Sequence, residues 1–206
     1  MFTFLPHKVR GVISIILYAL NTIFLCTLLL FFALLKLIIP LRPLTLVLDK
    51  ILMSIATLWI GINSLTTKLF SKIEWDVRGI EKLKKKEWYL ILSNHQSWVD
   101  ILTLQTILNR KIPMLKFFLK KQLIWVPFLG LAWWALDFPF MKRYSKKKLF
   151  KKPHLKGKDI ESTRKACKKF KQTPVSIMNF VEGTRFSSFK NEIQDTQFKN
   201  LLRPKA

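Results

Sequence analysis

The sequence predicts an α/β fold: a mixed sheet with flanking helices, preceded by one or two N-terminal membrane helices. Two observations carry the prediction. Apolar residues and charge are separated along the chain, and beyond residue 67 short strand-like runs alternate with helix-like ones. The 206 residues hold 36 Lys and Arg against 12 Asp and Glu, a net charge of +24, yet half the chain is hydrophobic. Mean hydropathy is +0.20, which a uniformly basic soluble domain would not show. Residues 1–67 contain five basic residues (Lys8, Arg10, Lys36, Arg42, Lys50) and one acid, Asp49. Residues 68–206 carry the remaining +20. The predicted division is therefore a membrane anchor at 1–67 and a basic α/β domain at 68–206.

Gly11 to Leu35 is a run of 25 residues without a charge. As a helix it measures about 37 Å, enough to cross about 30 Å of hydrocarbon with tilt. It is too long for the apolar region of a cleaved signal peptide, and no small-x-small site follows it. Pro40 and Pro43 break the run. A second segment, Leu44 to Thr67, has an uncharged stretch of only 17 residues from Ile51, with Ser54, Asn63, Ser64 and three Thr. It suits either the return arm of a hairpin or an interfacial amphipathic helix. A hairpin places Lys8, Arg10 and the basic domain on one side, which the positive-inside rule makes cytoplasmic.

In the basic part, Ile73, Trp75 and Val77 alternate with charged residues, as in a half-buried strand. Trp88 to Ser93 is a continuous apolar run suited to a buried parallel strand. Residues 98–109 place Ile101, Leu104, Gln105 and Leu108 at helical spacing. Pro113 to Leu119 reads as a strand. Pro127, Gly130 and Trp133-Trp134 suggest a short helix against membrane or core. Asp137 to Met141 is strand-like, Asp159 to Gln172 is a helix stopped by Pro174, and Val175 to Val181 is a final strand. Strands alternating with helices imply a sheet with ligands at the strand ends. The two cysteines, Cys26 and Cys167, read as free thiols in a reducing compartment.

Three histidines exist. His7 and His154 have no carboxylate at useful spacing and read as idle surface residues. His95 follows a predicted buried strand in Ser93-Asn94-His95-Gln96-Ser97-Trp98-Val99-Asp100. Within one helix, five steps of about 100° put residues 95 and 100 on different faces. A pairing therefore requires His95 in the loop and Asp100 in the first turn of the following helix. The carboxylate would then hold one ring nitrogen and leave the other as a base, two-thirds of a catalytic triad. The nucleophile is either Ser97, a weak candidate, or a substrate hydroxyl. Asn94 would cap the loop or orient the site. A second cluster, Phe180 to Ser187 (FVEGTRFS), also follows a predicted strand. Gly183 permits a tight turn, Arg185 offers a fork for phosphate or carboxylate, and Glu182 would position Arg185 or a hydroxyl. The rival reading is a turn with a surface ion pair. No His/Cys cluster supports a zinc site.

NHQSWVD and FVEGTRFS resemble the first and third signature blocks of the glycerolipid acyltransferase family, the PlsC-like lysophosphatidic acid acyltransferases. Lys116 to Arg143 resembles the second block, with Lys120, Lys121, Leu123, Pro127 and Gly130 in register. The resemblance covers roughly residues 70–203. It is nearest to a bacterial inner-membrane branch related to lysocardiolipin acyltransferases. Gln122 stands where many members carry Glu, and Val181 where Pro is usual. The family's fourth block has no counterpart before Ala206, so the resemblance implies a domain truncated at its C-terminus, and an inactive membrane protein is the alternative. The resemblance implies transfer of a fatty acyl group from acyl-CoA or acyl-carrier protein to a lysophospholipid hydroxyl, without cofactor or metal. His95 and Asp100 would be catalytic. Glu182, Gly183, Thr184, Arg185, Asn94, Lys116, Lys120 and Arg143 would bind substrate. A membrane-anchored nucleic-acid binder is disfavoured, since Lys outnumbers Arg 28 to 8 and base readout leans on Arg.

Overall fold

The structure, a computed structural model, describes residues 2, 4–141, 150–151, 153, 157–171, 173–181 and 185–187. Two long helices come first, α1 (His7–Ile38) and α2 (Arg42–Phe70). Ile39, forced out of helical geometry by the proline after it, ends α1 with φ −116° and ψ 86°. Pro43 lies in the first turn of α2, where its missing N–H breaks no helical bond. Both helices are long and apolar enough to cross a membrane. The second runs three residues past the predicted boundary at Thr67.

The two helices form an antiparallel pair, and polar rungs set its register. Asn21 donates to Asn63 Oδ1 at 2.8 Å and to the Trp59 carbonyl at 3.1 Å. Trp59 Nε1 donates to Thr22 Oγ1 at 3.1 Å, and the Tyr18 and Thr67 hydroxyls share a 2.7 Å hydrogen bond. Lys36 and Asp49 form an ion pair near the tip. Of the polar residues in the second apolar segment, Asn63 and Thr67 thus bond to the first, whereas Ser54, Thr57 and Thr66 bond to carbonyls of their own helix.

Beyond α2 follow β1 (Tyr89–Ser93), α3 (Val99–Leu108), β2 (Leu115–Phe117), β3 (Leu119–Lys120), α4 (Leu129–Ala135), β4 (Phe140–Met141), α5 (Lys158–Cys167) and β5 (Ser176–Phe180). Short 3-10 turns at Lys121–Trp125 and Lys168–Lys171 precede α4 and β5. One sheet has the order β1-β5-β2 and the other is the pair β3-β4. The class is α/β, but every strand pair among the described residues is parallel, where the sequence predicts a mixed sheet.

Other elements also differ from expectation. Residues 71–78 form no strand, and Ile73 and Trp75 are exposed. Alternation supplies a face, but a strand also needs a partner edge, and among the described residues no strand pairs with this segment. Among the described residues β1 is an edge strand, and Leu90 and Leu92 are exposed. The predicted 113–119 strand is split at Phe118, and the 137–141 strand shrinks to two residues after Asp137, whose φ is +57°.

Hairpin and sheet share one core. Leu25, Cys26, Leu29, Leu52, Ile55 and Ala56 pack with Leu115, Phe117, Ala132, Leu136, Phe138 and Met178. Leu52 and Met178 are each 1% exposed. Burying a side chain of this size contributes about 1.5–3 kcal/mol. The hairpin half nearer its tip therefore lies along the α/β layer.

Candidate active site

The site forms where β1 and β5 end side by side. Ser93 pairs with Phe180 in the ladder, and the Val181 amide donates to the Ser93 carbonyl at 3.1 Å. Both chains leave the sheet at the carboxyl ends of parallel strands, the edge where such sheets hold ligands.

His95 sits in the loop after β1 and is 9% exposed. Asp100 lies in the first turn of α3. Its Oδ2 is 2.9 Å from His95 Nδ1, so the five-residue spacing is bridged as the loop-and-first-turn geometry requires. The same oxygen accepts the amides of Gln96 at 2.7 Å and Ser97 at 2.8 Å. One carboxylate thereby folds the loop and holds the imidazole. Partial burial pushes the Asp100 pKa up. The Ser97 amide, the His95 ring and the Gln96 amide outweigh that and hold it below its ordinary value. Asp100 is thus anionic at neutral pH and fixes the proton on Nδ1, which directs Nε2 toward the acceptor role.

The ring is also held from its face. Phe180 stacks on His95 with centroids 3.9 Å apart and planes 15° apart. The Phe186 amide donates to the His95 carbonyl at 2.7 Å, tying the segment after β5 to the loop after β1. Across the same gap, the Arg185 guanidinium carbon lies 4.6 Å from the centroid of the Trp98 ring. Ser97 Oγ accepts the Val99 amide at 3.0 Å, a helix-start role.

The remaining sequence candidates fall in different places. Asn94 is exposed beside the site, and its carbonyl accepts the Ser93 hydroxyl at 2.9 Å. Lys120 is exposed at the end of β3. Lys116 is buried on β2, with its ammonium 5.2 Å from the centroid of Phe170. That ring belongs to the turn feeding the start of β5, whereas His95 lies past the ends of the strands. Glu182, Gly183, Thr184, Arg143 and His154 lie outside the described residues. Trp98 and Phe180 are the contributors that spacing did not single out. Their only sequence signal is an aromatic residue inside each cluster.

No curated protein and no solved structure matches the chain. The family model described as Acyltransferase matches residues 74–204, a stretch that contains the whole His95–Asp100 loop and the Arg185 segment. With a held imidazole at the strand ends and a match over more than half its length, the chain belongs to the Acyltransferase family.

Proposed function

We propose that this acyltransferase moves a fatty acyl group from acyl-CoA or acyl-carrier protein to the free hydroxyl of a lysophospholipid, with 1-acylglycerol-3-phosphate as acceptor. The observation that carries this reading is the 2.9 Å His95–Asp100 pair beside Arg185. Nε2 of His95 takes the proton of the acceptor hydroxyl as its oxygen attacks the thioester carbonyl. The carbon–sulfur bond then breaks, and the imidazolium returns the proton to the thiolate. Asp100 stabilises the imidazolium in between. Base assistance of this kind is worth about 10²–10⁴-fold. Arg185 holds the acceptor phosphate through charge-assisted hydrogen bonds.

The acceptor is taken from a membrane whose cytoplasmic side the catalytic domain faces. Support comes from the apolar residues that α1 and α2 leave exposed along their length, among them Phe24, Phe31, Leu37 and Leu58. Trp125 and Trp134, around α4, are exposed as well, as interfacial aromatics are. Because the tip half of the hairpin packs on the sheet, an upright span would carry the α/β core into lipid. The helices therefore lie along one leaflet. The basic domain is drawn to anionic headgroups at about 1 kcal/mol per Lys or Arg near the surface.

The test is an assay of the full chain in vesicles, with radiolabelled acyl-CoA and a panel of lysophospholipids. Label transfer to 1-acylglycerol-3-phosphate is the expected result. Transfer to none of the lysophospholipids, from acyl-CoA or from acyl-carrier protein, refutes the reading.

A further inference from the structure

We propose that Trp98 is a positioning residue that holds the Arg185 fork in place for the acceptor's phosphate. The inference rests on Arg185 as the phosphate-binding group and adds what orients it. The 4.6 Å separation is well inside the range of about 6 Å over which a cation is held by an aromatic face.

The chemistry of the contact suits the task. A guanidinium carries five N–H donors, all radiating in its own plane. A carboxylate partner would occupy those donors and compete with an incoming phosphate. An aromatic face holds the plane and leaves the edge to the ligand. Among the described residues, none of the ion pairs includes Arg185. Trp98 is 66% exposed, so its indole is not accounted for as core packing.

Position gives the contact its consequence. Trp98 lies between His95 and Asp100, in the loop whose ends form the base. Arg185 comes from the segment after β5, and the Phe186 amide binds the His95 carbonyl. The platform thus sets the distance between bound phosphate and Nε2 within one short, hydrogen-bonded loop. That distance decides whether the acceptor's free hydroxyl reaches the base.

Kinetics of the full chain with 1-acylglycerol-3-phosphate and acyl-CoA test this, using Trp98→Leu, Trp98→Phe, Arg185→Ala and the Leu/Ala double variant. An exposed cation–π contact predicts an acceptor KM raised about two- to fivefold in Trp98→Leu, with the acyl-CoA KM unchanged. Trp98→Phe should restore most of the loss. Trp98→Leu should add nothing once Arg185 is Ala, since the two act as one unit. A wild-type acceptor KM in Trp98→Leu, or a full additional penalty in the double variant, overturns the proposal while leaving phosphate binding by Arg185 intact. An unchanged acceptor KM in Arg185→Ala refutes phosphate binding itself, and the platform with it.

Discussion

The hairpin and the strand-end loop are ordered in opposite ways. The hairpin depends on area: long apolar faces, with a few polar rungs from Tyr18–Thr67 down to Lys36–Asp49 that fix its register. The loop depends on direction: one carboxylate oxygen takes a ring nitrogen and two amides, and two aromatic faces hold the ring and the fork. Area tolerates exchange of one apolar residue for another. Direction does not tolerate loss of a single atom. The two regions should therefore separate under mutation, one answering in stability and the other in turnover.

His95→Ala is the most severe test of that separation. Acyl transfer should fall by about 10²–10⁴-fold while the variant still floats with vesicles. Full activity would remove His95 from the chemistry, and loss of vesicle binding would mean that the loop and the hairpin are not separable.

Asp100→Asn comes next, with a smaller loss, because the shape survives and the charge does not. It also has a pH signature. The folded carboxyl lies below its ordinary pKa, so its contribution to stability is present above that ordinary value. The contribution is lost as pH falls through the lowered folded value. Acid unfolding followed by circular dichroism should show this part of the acid limb in the parent and not in Asp100→Asn. Identical acid limbs would refute the assignment.

The hairpin gives the mildest effect. Asn63→Leu leaves the buried Asn21 amide without its 2.8 Å acceptor, which should cost about 1–3 kcal/mol of stability. A lowered Tm with unchanged acceptor KM is the expected pattern. A shifted KM would mean that the helix register reaches the site.

What the sequence discloses divides along the same line. Long uncharged runs identify α1 and α2, because membrane-length apolarity is a property of composition. The strands that bracket the site are legible as β1 and β5, and the His95–Asp100 geometry follows from spacing, since both residues lie within one loop. Ile73 to Val77 misleads because alternation does not supply a partner edge. Trp98 over Arg185 is invisible for a related reason: 87 positions separate the two, and no periodicity encodes a contact made by two separate strand ends.

The shared core leaves no hinge between helices and sheet. An enzyme on a flexible tether samples many heights and tilts above a surface. Here, with Leu52 and Met178 packed into one cluster, the height and tilt of His95 relative to the helices are constants of the fold. Removing residues 1–67 would not release a soluble catalytic domain; it would strip the cover from Leu115, Phe117 and Met178. The helices work as a fixed gauge for the position of the imidazole.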